Sequence, residues 1–258
     1  MNELAIPTPT ALPVEPVVLI TGAARGVGAA CARRFAADGA AVILADLRIA
    51  EAEQVAQSLR AGGAQAVALS VDLASPEAVA DLAVHARAAF GHVDILINNA
   101  GMILPKGFVE ASVEEWDQLQ AVNVRAIFLL CRALLPDLQQ QRGCIVNVAS
   151  TAGLRPQFEN GPYCAAKSTV IMLTQSLAQE VLRDGVRVNC VCPGAIDTPL
   201  LEEYARARGD ECAVVKMREN GMLLPPEDVA DAIAFLASRQ ARSITGHALV
   251  VDRGALLM

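Results

Sequence analysis

The amino-acid sequence predicts an α/β domain built on a doubly wound parallel sheet, and three observations support this. Short runs of Val, Ile and Leu alternate with longer Ala-rich stretches in which apolar residues recur at helical spacing. Such alternation is typical of βαβ units, whose helices cover both faces of a parallel sheet. No internal repeat or interdomain linker interrupts the pattern, and 258 residues can bury one large core. We therefore expect a single domain.

The predicted elements follow one another in strict alternation. Seven strands are expected at 17–21, 41–45, 66–71, 93–97, 144–149, 187–192 and 248–251. Helices are expected at 27–37, 50–61, 76–90, 114–140, 163–183 and 227–238. The charged, helix-favouring segment 198–224 breaks this rhythm after the sixth strand. Ligands bind at the carboxyl ends of strands in open α/β sheets, so we interpret it as a substrate-covering lobe; an ordinary surface helix pair is the alternative.

Composition and charge exclude several classes of protein. The net charge is −7, with no basic cluster, which disfavours binding to nucleic acid. No run of about 18 apolar residues is present, so no membrane span is expected. Residues 1–16 carry four prolines and lack the organisation of a signal peptide. We expect them to form a flexible tail before a domain at 17–258.

The cysteines and histidines indicate neither a disulfide framework nor a metal site. Seven cysteines are scattered through predicted helices and strands, and the three histidines do not have the spacing of metal ligands. We predict reduced thiols, no bound metal and a cytoplasmic location.

A glycine-rich loop follows the first predicted strand directly. The sequence TGAARGVG places Gly22, Gly26 and Gly28 where the backbone must turn tightly, approach a pyrophosphate and pack a helix closely. The helix that opens at Val27 directs free N–H groups at the phosphates. Glycines also serve ordinary turns, but the position between a strand and a helix favours a dinucleotide site.

Asp46 ends the second strand, 18 residues after Gly28, where an acidic residue binds the adenosine ribose hydroxyls. A helix N-cap would also explain its residue type. A carboxylate there repels the 2′-phosphate of NADP, whereas the guanidinium groups of Arg25 and Arg48 favour it. We predict NAD as the cofactor, with NADP as the less favoured alternative.

Two further motifs end predicted strands at the same edge of the sheet. Asp72 and Leu73 close the third strand and are expected to meet the adenine. The sequence NNAG at 98–101 closes the fourth strand, and its glycine permits close passage of the nicotinamide ribose. A structural turn would account for this motif equally well.

Tyr163 and Lys167 stand four residues apart on one helix face. An ammonium about 5 Å from a phenolate, at an effective dielectric of about 20, stabilises it by roughly 3 kcal/mol. This lowers the tyrosine pKa by about two units, towards the range useful for acid–base catalysis. The same pairing also occurs by chance on helix surfaces.

Ser150 ends the fifth strand, thirteen residues before Tyr163, and its hydroxyl can bind a substrate oxygen. A serine hydrolase is disfavoured because Ser150 lies in VASTA rather than in Gly-x-Ser-x-Gly. Asn123 lies inside the long predicted helix, where an amide is unfavourable unless it is hydrogen-bonded. It is interpreted either as a helix kink holding a water linked to Lys167 or as a satisfied interior amide.

Together these motifs, in this order, resemble the short-chain dehydrogenase/reductase family over residues 17–254. The resemblance rests on TGAARGVG (21–28), Asp46, DL (72–73), NNAG (98–101), NV (123–124), Ser150, YCAAK (163–167) and PGAIDTP (193–199). It implies a seven-stranded Rossmann-type fold and a catalytic tetrad of Asn123, Ser150, Tyr163 and Lys167. It also implies that Tyr163 and Lys167 contact the cofactor, and that Ile196 and Thr198 meet the nicotinamide carboxamide. The other cofactor contacts it implies are Gly22, Arg25, Gly26, Val27, Gly28, Asp46, Leu47, Asp72, Leu73, Asn99, Ala100 and Gly101.

The function implied is hydride transfer between NAD(H) and a secondary alcohol or ketone, sugar- or polyol-like, with Tyr163 as general acid and base. The alternatives are an NADPH-dependent 3-oxoacyl-type ketoreductase and a non-catalytic dinucleotide-binding protein. A homotetramer paired through 114–140 and 163–183 is also implied. Two departures from the family pattern leave specificity and packing open: Arg253 replaces a glycine in VDRG, and Met222, Leu223 and Leu224 replace an R-x-G motif.

Overall fold

The computed structural model describes residues 15–257, so almost all of the predicted tail lies outside the described residues. Its seven strands form one sheet in the order β3-β2-β1-β4-β5-β6-β7, and every pair is parallel. This confirms the predicted doubly wound fold. The strands are β1 (Val17–Thr21), β2 (Ala41–Asp46), β3 (Ala66–Ser70), β4 (Ile95–Asn98), β5 (Cys144–Val148), β6 (Arg187–Pro193) and β7 (Ala248–Val251).

Helices connect the strands on both faces of the sheet. They are α1 (Gly26–Ala37), α2 (Ile49–Ala61), α3 (Pro76–Phe90), α4 (Val113–Gln120), α5 (Ala126–Gln141), α6 (Gly161–Glu180), α7 (Pro199–Arg208), α8 (Glu211–Glu219) and α9 (Pro226–Ala237). The helix predicted at 114–140 is α4 and α5 joined by one π-helical turn, Ala121–Arg125. The segment 198–224 forms α7 and α8.

Burial on both faces explains why the strands are continuous apolar runs. Ile20 and Leu44 pack with α1 and α9 on one face of the sheet. Leu19 and Ile43 pack with α3 and α5 on the other. All four side chains are fully buried. The core is therefore two aliphatic layers separated by the sheet, as expected from a sequence poor in aromatic residues.

The continuous helical stretch 113–141 is long and apolar enough to cross a membrane by length and composition. Leu130, Leu134 and Leu138 within it are nevertheless fully buried against the sheet. It is a core helix of the domain.

The ends of the α7–α8 segment are tied together at its base. Leu224 donates its N–H to the carbonyl of Ala195 and accepts from the N–H of Asp197, each at 2.9 Å. Ala205, Val214 and Leu223 form a small separate core between the two helices. We call residues 198–224 the α7–α8 lobe. It is a self-packed unit mounted on the carboxyl end of β6.

Arg253, which follows β7, fastens the C-terminal end of this lobe. Its backbone is left-handed, with φ of +52°, the region that favours the glycine usual in the family. Its guanidinium donates to the carbonyls of Gly221 at 2.8 Å and Leu223 at 3.0 Å, and faces Asp228 at 3.3 Å. The departure from the family pattern thus adds an anchor for the lobe at the cost of a strained backbone.

Candidate active site

A cavity of about 470 Å³ lies at the carboxyl edge of the sheet, where the strand order reverses between β1 and β4. This is the place where open α/β sheets bind ligands, and the volume is in the range of small-molecule sites. Every predicted site residue lines this cavity except Gly28 and Asn123. Those two support its wall from behind: Gly28 packs against Gly22, and Asn123 is hydrogen-bonded to Met102.

The glycine loop is shaped for close approach. Gly22 and Gly26 have φ of +65° and +55°. A Cβ on Gly22 would lie 2.8 Å from the Cα of Ala100, and one on Gly28 would lie 2.0 Å from the carbonyl oxygen of Gly22. Arg25, the N-cap of α1, makes no side-chain capping bond. Among residues 15–257, no side chain is hydrogen-bonded to the first N–H groups of α1, an arrangement that fits a pyrophosphate.

The NNAG motif ties the loop to β4. The Asn99 amide donates to the carbonyls of Thr21 at 2.9 Å and Gly22 at 3.0 Å. In return the hydroxyl of Thr21 accepts the N–H groups of Asn99 and Ala100, each at 3.1 Å. The motif thus combines the two predicted interpretations, because it is a structural tie that also lines the cavity.

Asp46 stands at the opposite end of the cavity from Tyr163. Its carboxylate accepts the N–H groups of Ala24 and Arg48, each at 2.9 Å. The N-cap of α2 is Arg48, so the alternative that Asp46 caps this helix is wrong. The two hydrogen bonds hold the carboxylate beside the glycine loop, where a ribose would lie.

Sequence reasoning missed Glu203 on α7, which also lines this end of the cavity. Its carboxylate accepts two hydrogen bonds from Arg25, at 2.8 and 3.1 Å. Its nearest approach to Arg48 is 4.0 Å. Because Arg25 and Glu203 lie 178 positions apart, no local pattern in the sequence signals this pair.

Tyr163 and Lys167 lie in the first two turns of α6. The Lys167 ammonium nitrogen is 5.7 Å from the centroid of the Tyr163 ring and donates to the carbonyl of Val148 at 2.8 Å. Loss of solvent raises the pKa of Tyr163 to about 12, while hydrogen bonding with Ser150 acts in the opposite direction. Burial lowers the pKa of Lys167 to about 8. In the protein alone the pKa of Tyr163 is therefore raised by burial, where the sequence led us to expect a lowering by the ammonium.

Ser150 begins a short 3₁₀ turn, Thr151–Gly153, and its hydroxyl accepts the N–H of Ala152 at 3.1 Å. Gly153 packs directly on α6, since a Cβ there would lie 2.7 Å from the backbone of Lys167. Ser168 also donates its hydroxyl to the Gly153 carbonyl at 2.7 Å. This contact sets the strand-end serine beside Tyr163, as predicted from their positions in the sequence.

Asn123 lies fully buried in the π-helical turn. Its side chain accepts from the N–H of Met102 at 2.9 Å and donates to the carbonyl of Met102 at 2.8 Å. A Cβ on Gly101 would lie 3.1 Å from Asn123 Oδ1 and 3.5 Å from Lys167 Nζ. The amide is satisfied and the helix is locally widened, so features of both interpretations are present. The role of Asn123 in proton relay stays a prediction.

Five further residues line the cavity and are apolar apart from one amide: Met102, Ile103, Gln118, Val122 and Leu200. Met102 packs in the same small cluster as Tyr163. Gln118 and Val122 were missed, although their spacing of four places them on one helix face.

The polar residues between 155 and 160, in the loop before α6, do not line the cavity. Asn160 donates to Gln157 at 2.9 Å, and Glu159 pairs with Arg208 at 2.8 Å. These polar side chains therefore bind one another within the loop or bind Arg208 on α7.

Comparison with known proteins agrees with this fold. Residues 22–255 match the family model described as enoyl-(acyl carrier protein) reductase. The meso-2,3-butanediol dehydrogenase of Serratia marcescens is 38% identical over 93% of this chain and 94% of its own. The structure of 3-ketoacyl-(acyl-carrier-protein) reductase from Brucella melitensis, complexed with NADH, is 39% identical with a TM-score of 0.84, covering 93% of this chain and 98% of that one. L-sorbose reductase from Gluconobacter frateurii, complexed with NADPH and L-sorbose, is 31% identical with a TM-score of 0.87, covering 95% and 98%.

The fold and the site define an NAD(P)-dependent oxidoreductase that acts on CH–OH groups. The chain belongs to the short-chain dehydrogenase/reductase family.

Proposed function

We propose that this protein interconverts a small secondary alcohol bearing a second oxygen, a diol or polyol, with the corresponding ketone, and that it uses NAD. The observation that carries the proposal is the convergence of Ser150, Tyr163 and Lys167 at one end of a cavity whose other end holds Asp46. A dinucleotide that reaches both ends brings its nicotinamide beside the tyrosine hydroxyl.

The residues around the cavity suit an extended dinucleotide. The uncapped start of α1 and the glycine loop would hold the pyrophosphate, and Asp46 the adenosine ribose. Lys167 would bind the nicotinamide ribose, and Thr198 would meet the carboxamide. When bound, the nicotinamide supplies the acceptor or donor of the hydride.

In the proposed mechanism the protein positions the substrate oxygen and moves one proton. Ser150 donates a hydrogen bond to the substrate oxygen, and the Tyr163 phenolate takes the hydroxyl proton during oxidation. During reduction the neutral phenol returns that proton. The ammonium of Lys167 stabilises the phenolate, and Asn123 holds the backbone at Met102 so that this wall keeps its shape.

The wall residues favour a compact substrate. Met102, Ile103 and Leu200 offer apolar surface, and Gln118 offers one amide for a second oxygen. The names of two similar proteins, a butanediol dehydrogenase and a sorbose reductase, support a substrate with neighbouring oxygens.

The preference for NAD rests on charge. Asp46 presents a carboxylate where the 2′-phosphate of NADP would lie, and Arg25 is already paired with Glu203. The similar structures bound NADH in one case and NADPH in another, so the chain's own residues carry this part of the proposal.

We also propose a cytoplasmic homotetramer. Phe128 on α5 and Met172 on α6 have exposed fractions of 51% and 61%, so the helices expected to pair subunits carry exposed apolar side chains. Light scattering on the purified protein tests the assembly, and a monomer would contradict it.

The reaction is tested with a panel of vicinal diols, polyols, simple secondary alcohols and 3-oxoacyl thioesters, followed at the reduced-nicotinamide absorbance band. We expect the fastest oxidation with a diol or polyol and NAD. Tyr163→Phe, which removes one oxygen atom, should lower turnover by a factor on the order of 10²–10⁴ while calorimetric NAD affinity stays within about twofold. Full turnover in this variant would refute the assignment, and a strong preference for oxoacyl thioesters with NADPH would support the ketoreductase alternative.

A further inference from the structure

Glu203 reaches from the α7–α8 lobe to the glycine loop, on the wall that would surround the adenosine. Both oxygens of its carboxylate engage Arg25, and the side chain of Arg25 is only 29% exposed. Paired, planar hydrogen bonds of this kind are stronger and more directional than an ordinary surface ion pair.

Glu203 also faces Arg48, the second cation able to attract a phosphate. The two side chains approach to 4.0 Å, and Arg48 pairs in addition with Glu51 at 3.5 Å. Asp46 adds a further carboxylate, held by the N–H groups of Ala24 and Arg48. This end of the cavity thus presents two guanidinium groups, both facing Glu203, and the two carboxylates of Asp46 and Glu203, while Glu51 pairs with Arg48 outside the cavity.

Resting on the NAD preference proposed above, we propose that Glu203 determines cofactor specificity. It occupies Arg25 and faces Arg48, and so withholds both guanidinium groups from a 2′-phosphate. A guanidinium in this region is the group that accommodates the 2′-phosphate in NADP-binding Rossmann folds. Here the group is present, but it is engaged by a residue of the lobe.

The two cofactors differ in what they require of this ion pair. NAD carries two ribose hydroxyls, so the Arg25–Glu203 pair persists and α7 stays fastened to the glycine loop. NADP can reach Arg25 only if that pair breaks, which leaves the Glu203 carboxylate beside a phosphate dianion. The unpaired carboxylate lowers the affinity for NADP, and α7 loses its ion pair with the glycine loop.

The test compares NAD⁺ and NADP⁺ affinities by titration calorimetry. Glu203→Gln keeps the size of the side chain but removes its charge. We expect NADP⁺ affinity to rise about tenfold, which corresponds to about 1.4 kcal/mol, while NAD⁺ affinity changes by less than about threefold. Glu202→Gln makes the same chemical change one residue earlier on α7, where Glu202 faces Arg218 at 3.3 Å instead. The ratio of affinities should not change in that control.

Arg25→Gln supplies the second arm. In the wild-type background it should not raise NADP⁺ affinity, because it removes a cation and leaves the Glu203 carboxylate without its bidentate partner. In the Glu203→Gln background it should abolish the tenfold gain. A gain in NADP⁺ affinity that requires Arg25 must come from releasing its guanidinium. A gain caused only by the lost negative charge would persist without Arg25.

An equal change in both affinities for Glu203→Gln, or a gain that survives Arg25→Gln, would overturn the proposal. If Glu203→Gln does not fold, Glu203→Ser is measured in its place, and an unchanged ratio of NADP⁺ to NAD⁺ affinity in that variant would overturn the proposal. Tighter binding of NADP⁺ than NAD⁺ by the wild type would refute the proposed cofactor preference. The change in ratio on substitution would still decide the role of Glu203.

Discussion

The ammonium of Lys167 lies 5.7 Å from the centre of the Tyr163 ring, and it is held there by a hydrogen bond to the carbonyl of Val148. Only 4% of Lys167 is exposed. Each of the two groups is buried in the environment that disfavours its own charged form. Burying this pair, which we propose moves the proton, therefore lowers the stability of the folded protein as long as no ligand shares the site.

This cost predicts an unusual dependence of stability on pH. Burial lowers the pKa of Lys167 from 10.5 to about 8. Between these values the unfolded chain holds a proton that the folded protein has lost, so stability rises with pH across this window. We expect the unfolding free energy of the wild type, relative to Lys167→Met, to increase by about 3 kcal/mol from pH 7 to pH 10.

Unfolding of both proteins by guanidinium chloride at several pH values measures this difference. The contributions of titratable groups that the two proteins share cancel when one unfolding free energy is subtracted from the other. Lys216→Met, at an exposed position on α8, is the control and should show no such trend. A difference that stays constant, or that falls as pH rises, would contradict the buried charge.

Turnover should depend on pH through Tyr163. Loss of solvent raises its pKa to about 12, and only the phenolate accepts a proton from an alcohol. Oxidation should therefore rise with pH from neutrality, and ketone reduction should fall. Because Lys167, with its pKa lowered to about 8, is charged and stabilises the phenolate only at the lower end of this range, Lys167→Met should reduce oxidation most near neutral pH. Rates of oxidation and reduction, measured against pH for the wild type and the variant, check this. Identical rate–pH profiles would show that Lys167 does not affect the proton transfer.

The sequence predicted the features that depend on local pattern. All seven strands and the positions of Ser150 and Asp46 at strand ends follow from apolar runs and from the fact that parallel strands end at one edge. The pairing of Arg25 with Glu203 did not follow, because it depends on where the lobe settles after folding. The high pKa of Tyr163 was also missed, since the sequence shows the nearby ammonium but not the packing that excludes water.

The glycine loop should not tolerate an added methyl group at Gly28. A Cβ there would lie 2.0 Å from the carbonyl oxygen of Gly22, a backbone atom that cannot move aside cheaply. We expect Gly28→Ala to destabilise the fold by more than about 3 kcal/mol or to abolish dinucleotide binding. Gly62→Ala is the control, because its Cβ would come no closer than 3.3 Å to the Leu59 carbonyl and 3.8 Å to the Ser58 carbonyl. Thermal unfolding and NAD calorimetry compare the two, and a stable, binding Gly28→Ala protein would disprove the tight packing.

Arg253 allows backbone strain to be separated from anchoring. Its φ of +52° costs a non-glycine residue about 1 kcal/mol, while its guanidinium holds the carbonyls of Gly221 and Leu223. Arg253→Ala keeps the strain and loses the anchor, whereas Arg253→Gly loses both. We therefore expect the glycine variant to be the more stable of the two by about 1 kcal/mol.

Both Arg253 variants should loosen the α7–α8 lobe to the same extent, because neither retains the guanidinium. Amide hydrogen exchange over 211–224 should be faster than in the wild type and alike in the two variants, with exchange in β1 unchanged. Wild-type protection of the lobe in the glycine variant would mean that the Arg253 hydrogen bonds do not hold it. Faster exchange in the alanine variant alone would assign the effect to the backbone at residue 253.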